Sequence, residues 1–194
     1  MKIIILVPIY NDWQSASKLL EEINSNIAEL ECQFSVLIVN DASSDQHSIN
    51  ALNLVNLQSI KVINMKENRG HARCIASGLK YIFEKEEFDY VIPMDGDGED
   101  RPVEIKNFVE YLNYTSDKPI VGERVKRSEN LLFKFCYSVH KILTFAFTGQ
   151  SIKFGNYTCL PRATVEKMIN HKATWSSFSG ALTKLEKERS TVPS

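Results

Sequence analysis

Asp95-Gly96-Asp97 sets two carboxylates one residue apart, and Glu99 and Asp100 follow at once. Like charges this close repel, and a divalent cation relieves the repulsion. A few hard oxygen donors suit Mg²⁺ or Mn²⁺, which complete their coordination with substrate phosphates. Gly96 and Gly98 allow backbone angles and close approaches that other residues resist. Many surface turns contain Asp-x-Asp, so the spacing alone says little. The apolar run Tyr90 to Met94 directly before it says more. In open α/β sheets, ligands bind outside the carboxyl ends of the strands.

Other polar residues stand at similar places. Asp41 follows the run Phe34 to Asn40. A carboxylate there can accept from a base N–H or a ribose hydroxyl. It can equally cap a turn with Ser43 and Ser44. Pro8, Tyr10 and Asp12 close the run Ile3 to Val7. Tyr10 could pack on a flat base and Asp12 could accept from it, while Asp12 also reads as a helix N-cap. Asn68-Arg69-Gly70-His71-Ala72-Arg73 opens a helix but has neither G-x-G-x-x-G nor a P-loop pattern. His71 and Arg73 read as cleft or surface residues, since no triad partner stands near them in the sequence. Gly122 to Arg127 supplies Arg124, Lys126 and Arg127. These suit a phosphate or a solvated charged face equally.

The elements that must carry these residues alternate along the first hundred positions. Strands are expected at 3–7, 34–40, 60–65 and 90–94. Helices are expected at 15–30, with Leu19, Leu20, Ile23 and Ile27 on one face, and at 71–83, with Ile75, Leu79 and Ile82 inward. Such alternation predicts a mostly parallel sheet with right-handed crossovers and helices on both faces, an α/β three-layer sandwich. The second half is less regular. Helices are expected at 102–114, 131–147 and 162–169, and strands at 119–122 and 152–160. A polar tail from Trp175 is expected to stay helical to about Arg189. The stretch 131–147 reads as a membrane-surface helix or as a core or oligomer-interface helix, the latter compatible with a homo-oligomer.

Composition bounds the function. The 194 residues carry a formal net charge of −1, which argues against a nucleic-acid binder. That sum hides an asymmetry: residues 1–100 hold 8 Lys+Arg against 16 Asp+Glu, and residues 101–194 hold 15 against 8. Opposite halves suggest unlike partners. Cys32, Cys74, Cys136 and Cys159 lack metal-site spacing and read as reduced thiols of a cytoplasmic chain. No apolar run reaches the roughly 18 residues of a spanning helix.

In order, VPIYND, IVNDASSD, NRGHARCIASGL, PMDGDGEDRPVEI, VGERVKR and FGNYTCLPR cover residues 7 to 162. The set resembles the family-2 glycosyltransferases of GT-A fold, and within them the dolichyl-phosphate mannosyltransferase and polyprenyl-phosphate glycosyltransferase branch. The resemblance implies inverting transfer from a UDP- or GDP-sugar with Mg²⁺ or Mn²⁺. By position, Pro8, Tyr10, Asp12, Asp41, Asp95 and Gly96 would bind the nucleotide. Asp95, Asp97 and Glu99 would hold the metal, and Asp97, Arg124 and Arg127 would act at the diphosphate or the acceptor phosphate.

Three positions depart from the branch. Asn40-Asp41-Ala42 stands where Asp-Asp-Gly is usual, and Asn156-Tyr157 where Asp-Phe is common. The chain also stops at Ser194, soon after Val192-Pro193, where the branch continues into a basic motif. It therefore reads as one domain over 1–194 with a donor-and-metal half (1–100) and an acceptor half (101–194), truncated at its C-terminus. An amide at 156 cannot serve as a base. A lipid-phosphate acceptor needs none, and would put the chain on the cytoplasmic face of a membrane. A saccharide-hydroxyl acceptor, with Glu123 or Asp100 as base, and a nucleotide-sugar-binding module of little activity are the alternatives.

Overall fold

The computed structural model describes residues 1–45, 52–112, 114, 117–123 and 154–193. Its centre is a seven-stranded sheet in the order β3-β2-β1-β4-β6-β5-β7. The strands are β1 (Lys2–Ile9), β2 (Gln33–Asn40), β3 (Leu57–Asn64), β4 (Tyr90–Pro93), β5 (Ile120–Glu123), β6 (Thr158–Pro161) and β7 (Ser190–Pro193). β1 pairs in parallel with β2 and β4, and β2 with β3. β6 runs against both β4 and β5, and β5 pairs in parallel with β7. Among the described strands β6 alone is reversed.

β1 and β2 are apolar almost throughout because both of their faces are covered. Side chains alternate between two cores. Ile3, Ile5, Val7 and Ile9 face one core with helices α1 (Trp13–Asn26) and α3 (Ile105–Leu112). Ile4 and Leu6 face the other with α2 (His71–Lys85), α4 (Arg162–Ile169) and α5 (Phe178–Leu185). The result is the expected three-layer α/β sandwich. α2 lies close on the sheet: a Cβ on Gly78 would sit 2.3 Å from Leu6 Cδ1 and 2.9 Å from Val39 Cγ2. Only glycine permits that approach.

The prolines respect the ladder. Pro93 pairs with Leu6 of β1, but β6 pairs with β4 only at Tyr90 and Val91. Pro8 lies past the last β1–β4 pair. Each lies outside pairing on one side of its strand, where a missing N–H costs little.

The second half corrects two expectations. The tail is not helical to Arg189: a 3-10 turn (Lys172–Trp175) leads to α5, which ends at Leu185, and Ser190–Pro193 forms β7. Four residues carry no readable period, and β7 exists through its non-local pairing with β5. The strand expected at 152–160 begins only at Thr158, with residues 151–153 outside the described residues. The helix expected at 102–114 is a 3-10 turn at Pro102–Glu104 followed by α3. The stretch 131–147, like Arg124 and Arg127, lies outside the described residues. Among those described, no helix is long and apolar enough to cross a membrane. Cys32, Cys74 and Cys159 are free thiols, and Cys136 lies outside the described residues.

Candidate active site

The carboxyl ends of β1, β2 and β4 form one rim, and most of the candidate residues meet there. At the end of β1, Asn11 adopts φ 52°. This turn is locked to the one after β2. Asn11 N–H donates to Ser43 Oγ at 2.8 Å, and Asn11 Oδ1 accepts from Ser44 N at 2.8 Å. Tyr10 is 52% exposed at the rim, and the buried Pro8 sits just behind it. Asp12 caps α1 by accepting from Ser15 N.

Asp41 is buried, and both its oxygens are engaged. Oδ1 accepts from Arg69 N and Oδ2 from Gly70 N, each at 2.8 Å. It therefore ties the end of β2 to the entry of α2. Below it the buried Cys74 thiol is pushed up to about 12, by burial first and by Asp41 second. Cys74 is a neutral thiol, not a nucleophile. Asn40, the other polar residue at this strand end, donates to Asn64 Oδ1 and accepts from Ser43 N.

The turn after β4 is the acidic centre. Gly96 packs against β1: a Cβ there would come 3.2 Å from the Pro8 carbonyl oxygen. Asp97 is exposed, and its Oδ1 accepts from Glu99 N at 2.9 Å. Gly98 takes φ 82°, which closes the turn. Asp100 is buried and its Oδ2 accepts the Asp95 N–H at 2.9 Å.

Asp95 gathers two partners that its sequence neighbourhood does not suggest. His71, the first residue of α2, places Nε2 3.1 Å from Asp95 Oδ1, and Asn156 Nδ2 donates to the same oxygen at 3.3 Å. The hydrogen bond to Asp95 raises the His71 imidazole above its ordinary value, and burial opposes it. Tyr157 anchors the Asn156 segment. Its ring meets Phe108 edge-on at 4.9 Å between centroids, and its hydroxyl donates to the Arg101 carbonyl. The sequence read His71 as a cleft or surface residue with no partner to give it a role. Its partners lie 24 and 85 positions away and only the fold joins them.

The metal set divides. Asp95 and Asp97 share one tight turn at a strand end. Glu99 is exposed, and no three His, Cys, Asp or Glu side chains among the described residues are gathered closely enough to hold a cation. Two hard carboxylates suit an ion such as Mg²⁺ or Mn²⁺, which takes few protein ligands and completes its shell with phosphate oxygens. The donor chemistry therefore fits. Arg124 and Arg127 lie outside the described residues. A depression of about 800 Å³ lies at the opposite end of the sheet beside Lys2, Gln33, Asp89 and Arg162. It is remote from these carboxylates, and the strand-end rule points away from it.

Known proteins are similar to this chain in sequence or in fold. The chain is 29% identical over 171 residues to the undecaprenyl-phosphate 4-deoxy-4-formamido-L-arabinose transferase of Proteus mirabilis (strain HI4320), covering 87% of this chain and 50% of that protein. The chain thus spans about half the length of this curated relative. The mannosyltransferase PcManGT of Pyrobaculum calidifontis, solved with GDP-Man and Mn²⁺, superposes with a TM-score of 0.57 at 20% identity, over 98% of this chain and 54% of that one. The glucosyl-3-phosphoglycerate synthase of Mycobacterium tuberculosis, solved with Mn²⁺, UDP and glucosyl-3-phosphoglycerate, superposes with a TM-score of 0.65 at 13% identity, over 99% and 69%. These neighbours share the GT-A fold that the motifs implied. Residues 4–175 match the family described as Glycosyl transferase family 2, and the chain belongs to that family.

Proposed function

We propose that the chain transfers a sugar from a nucleoside diphosphate sugar to a polyprenyl phosphate, with inversion at the anomeric carbon. The observation that carries the reading is the Asp95-Gly96-Asp97 turn at the end of β4, packed beside the ends of β1 and β2. Tyr10 offers an exposed ring to the base. Asp95 and Asp97 would hold Mg²⁺ or Mn²⁺, which when bound neutralises charge on the leaving diphosphate. Gly96 keeps the turn close to β1, so the carboxylates and the nucleoside side of the rim stay at fixed separation. Arg124 and Arg127 are assigned to the diphosphate or the acceptor phosphate.

In the transfer, an acceptor phosphate oxygen forms the new bond to the anomeric carbon. The bond to the donor's phosphate oxygen breaks on the opposite face, and the nucleoside diphosphate leaves. Asn156 favours this acceptor class. It places an amide, not a base, beside Asp95, and an acceptor that is already anionic has no proton to lose. A saccharide hydroxyl would need a base. Asp100 is buried against the Asp95 backbone, and Glu123 is exposed at the end of β5.

Turnover of UDP- and GDP-sugars with Mn²⁺ or Mg²⁺ tests this, with a polyprenyl phosphate and a soluble saccharide as rival acceptors. Sugar should pass to the lipid phosphate alone. Asp97→Ala should lose on the order of a hundredfold in rate, the size seen when one preorganised electrostatic group is removed. Unchanged turnover in Asp97→Ala would reject the metal assignment. Transfer to the saccharide would reject the acceptor.

A further inference from the structure

Side chains from two separate parts of the chain converge on one oxygen of a third. His71 Nε2 and Asn156 Nδ2 lie 3.1 and 3.3 Å from Asp95 Oδ1, and 2.9 Å from each other. Asp100 holds the Asp95 backbone N–H from the other side. Asp95 is thus gripped at both its main chain and its carboxylate. A carboxylate on an open turn samples several rotamers and must be ordered when a ligand arrives. This one meets two nitrogen donors from elsewhere in the fold.

The position of His71 is itself fixed. Gly70, at φ 85°, turns the chain into α2, and the Arg69 and Gly70 N–H groups are fastened to Asp41. A chain of contacts therefore runs from the end of β2, through the first turn of α2, to the end of β4. The His71 side chain is 47% exposed, so core packing does not account for its contact with Asp95.

We infer that His71 is a positioning residue which, with Asn156, pre-orients the Asp95 carboxylate for the donor diphosphate and its cation. What Asp95 meets rests on the transferase reading; the grip on Asp95 does not. His71 itself touches neither donor nor acceptor in this assignment. Groups that orient a metal-binding side chain commonly change metal affinity by tenfold or more when removed.

The test uses the full chain with His71→Ala, which removes the contact, and His71→Gln, which returns an N–H at similar reach. Calorimetric titration with Mn²⁺ plus UDP, and Mn²⁺ plus GDP, reads the affinity. Thermal unfolding checks that both variants fold. His71→Ala should weaken Mn²⁺-dependent nucleotide binding about tenfold, and His71→Gln should recover most of the loss at an unchanged melting temperature. Equal affinity in the wild type and His71→Ala overturns the inference, as does a Gln variant as weak as the Ala variant. If the wild type binds neither nucleotide, the transferase reading fails. Ligand-free crystals then decide the inference alone. A single Asp95 orientation in the wild type and a rotated or split one in His71→Ala uphold it. The same orientation in both overturns it.

Discussion

Ala42 adopts φ 56°, a left-handed conformation that suits glycine. It stands where the related branch has the glycine of Asp-Asp-Gly. The conformation is imposed by its neighbours. Asp41 is held by two backbone N–H groups, and Ser43 N donates to Asn40 Oδ1. A left-handed non-glycine residue costs about 1–2 kcal/mol, and glycine returns part of that through its looser unfolded chain. Ala42→Gly should therefore stabilise the fold by about 0.5–1 kcal/mol. Chemical denaturation checks this, and a loss of stability would show that the turn relaxes in solution. Asp41 illustrates what sequence can convey at this scale. Its place at a strand end was legible, and so was the choice between ligand and turn partner. The commitment of both its oxygens to Arg69 and Gly70 was not, because those donors lie 28 and 29 residues away.

α2 is the element on which the site depends most. Its amino end carries His71 to Asp95, while Gly78, two turns further on, sets how near the helix lies to β1 and β2. Gly78→Ala gains helix propensity but drives a methyl into Leu6 and Val39, which are both fully buried. Overpacking of this kind costs about 1–3 kcal/mol and outweighs the propensity gain of about 1 kcal/mol. The variant should melt lower than the wild type and bind Mn²⁺ and nucleotide more weakly, since a displaced helix carries His71 with it. A higher melting temperature would mean that Leu6 and Val39 repack without cost. The helix was predictable from Ile75, Leu79 and Ile82. In contrast, among the described residues the strands of the second half have four residues and its α-helices eight. There, pairing partners rather than local pattern decide the structure, and β7 is the clearest case.

Across the whole molecule, the acidic and basic halves share one sheet. β4 carries the acidic turn. The antiparallel β6 beside it belongs to the basic half and brings Asn156 to the same rim. A basic half facing an anionic surface predicts that vesicles containing anionic lipid bind the chain in low salt. Binding should fall as salt shortens the screening length from about 10 Å at 0.1 M to about 3 Å at 1 M. Sedimentation with anionic and neutral vesicles measures this. Equal binding to both, at any salt, would remove the membrane-surface role. The alternation of strand and helix made the parallel strands β1 to β4 readable from sequence. The reversal of β6 was not readable, because strand direction leaves no mark on four residues.

That reversal makes the two sides of the rim unequal. Tyr10, Asp41 and Asp95 leave strands, so each is placed by the chain that precedes it. Asn156 enters one, and its anchors lie on its C-terminal side. Thr158 to Pro161 pair with β4 and β5, Tyr157 packs under Phe108, and the Tyr157 carbonyl accepts from Gly122 N. Residues added before Phe154 leave all of those anchors in register, whereas one residue added between Asn156 and Thr158 would swing the amide off Asp95. An insertion before Phe154 should therefore leave Asn156 on Asp95, whereas one inside the Asn156–Thr158 segment should not, and a single inverted strand sets that difference.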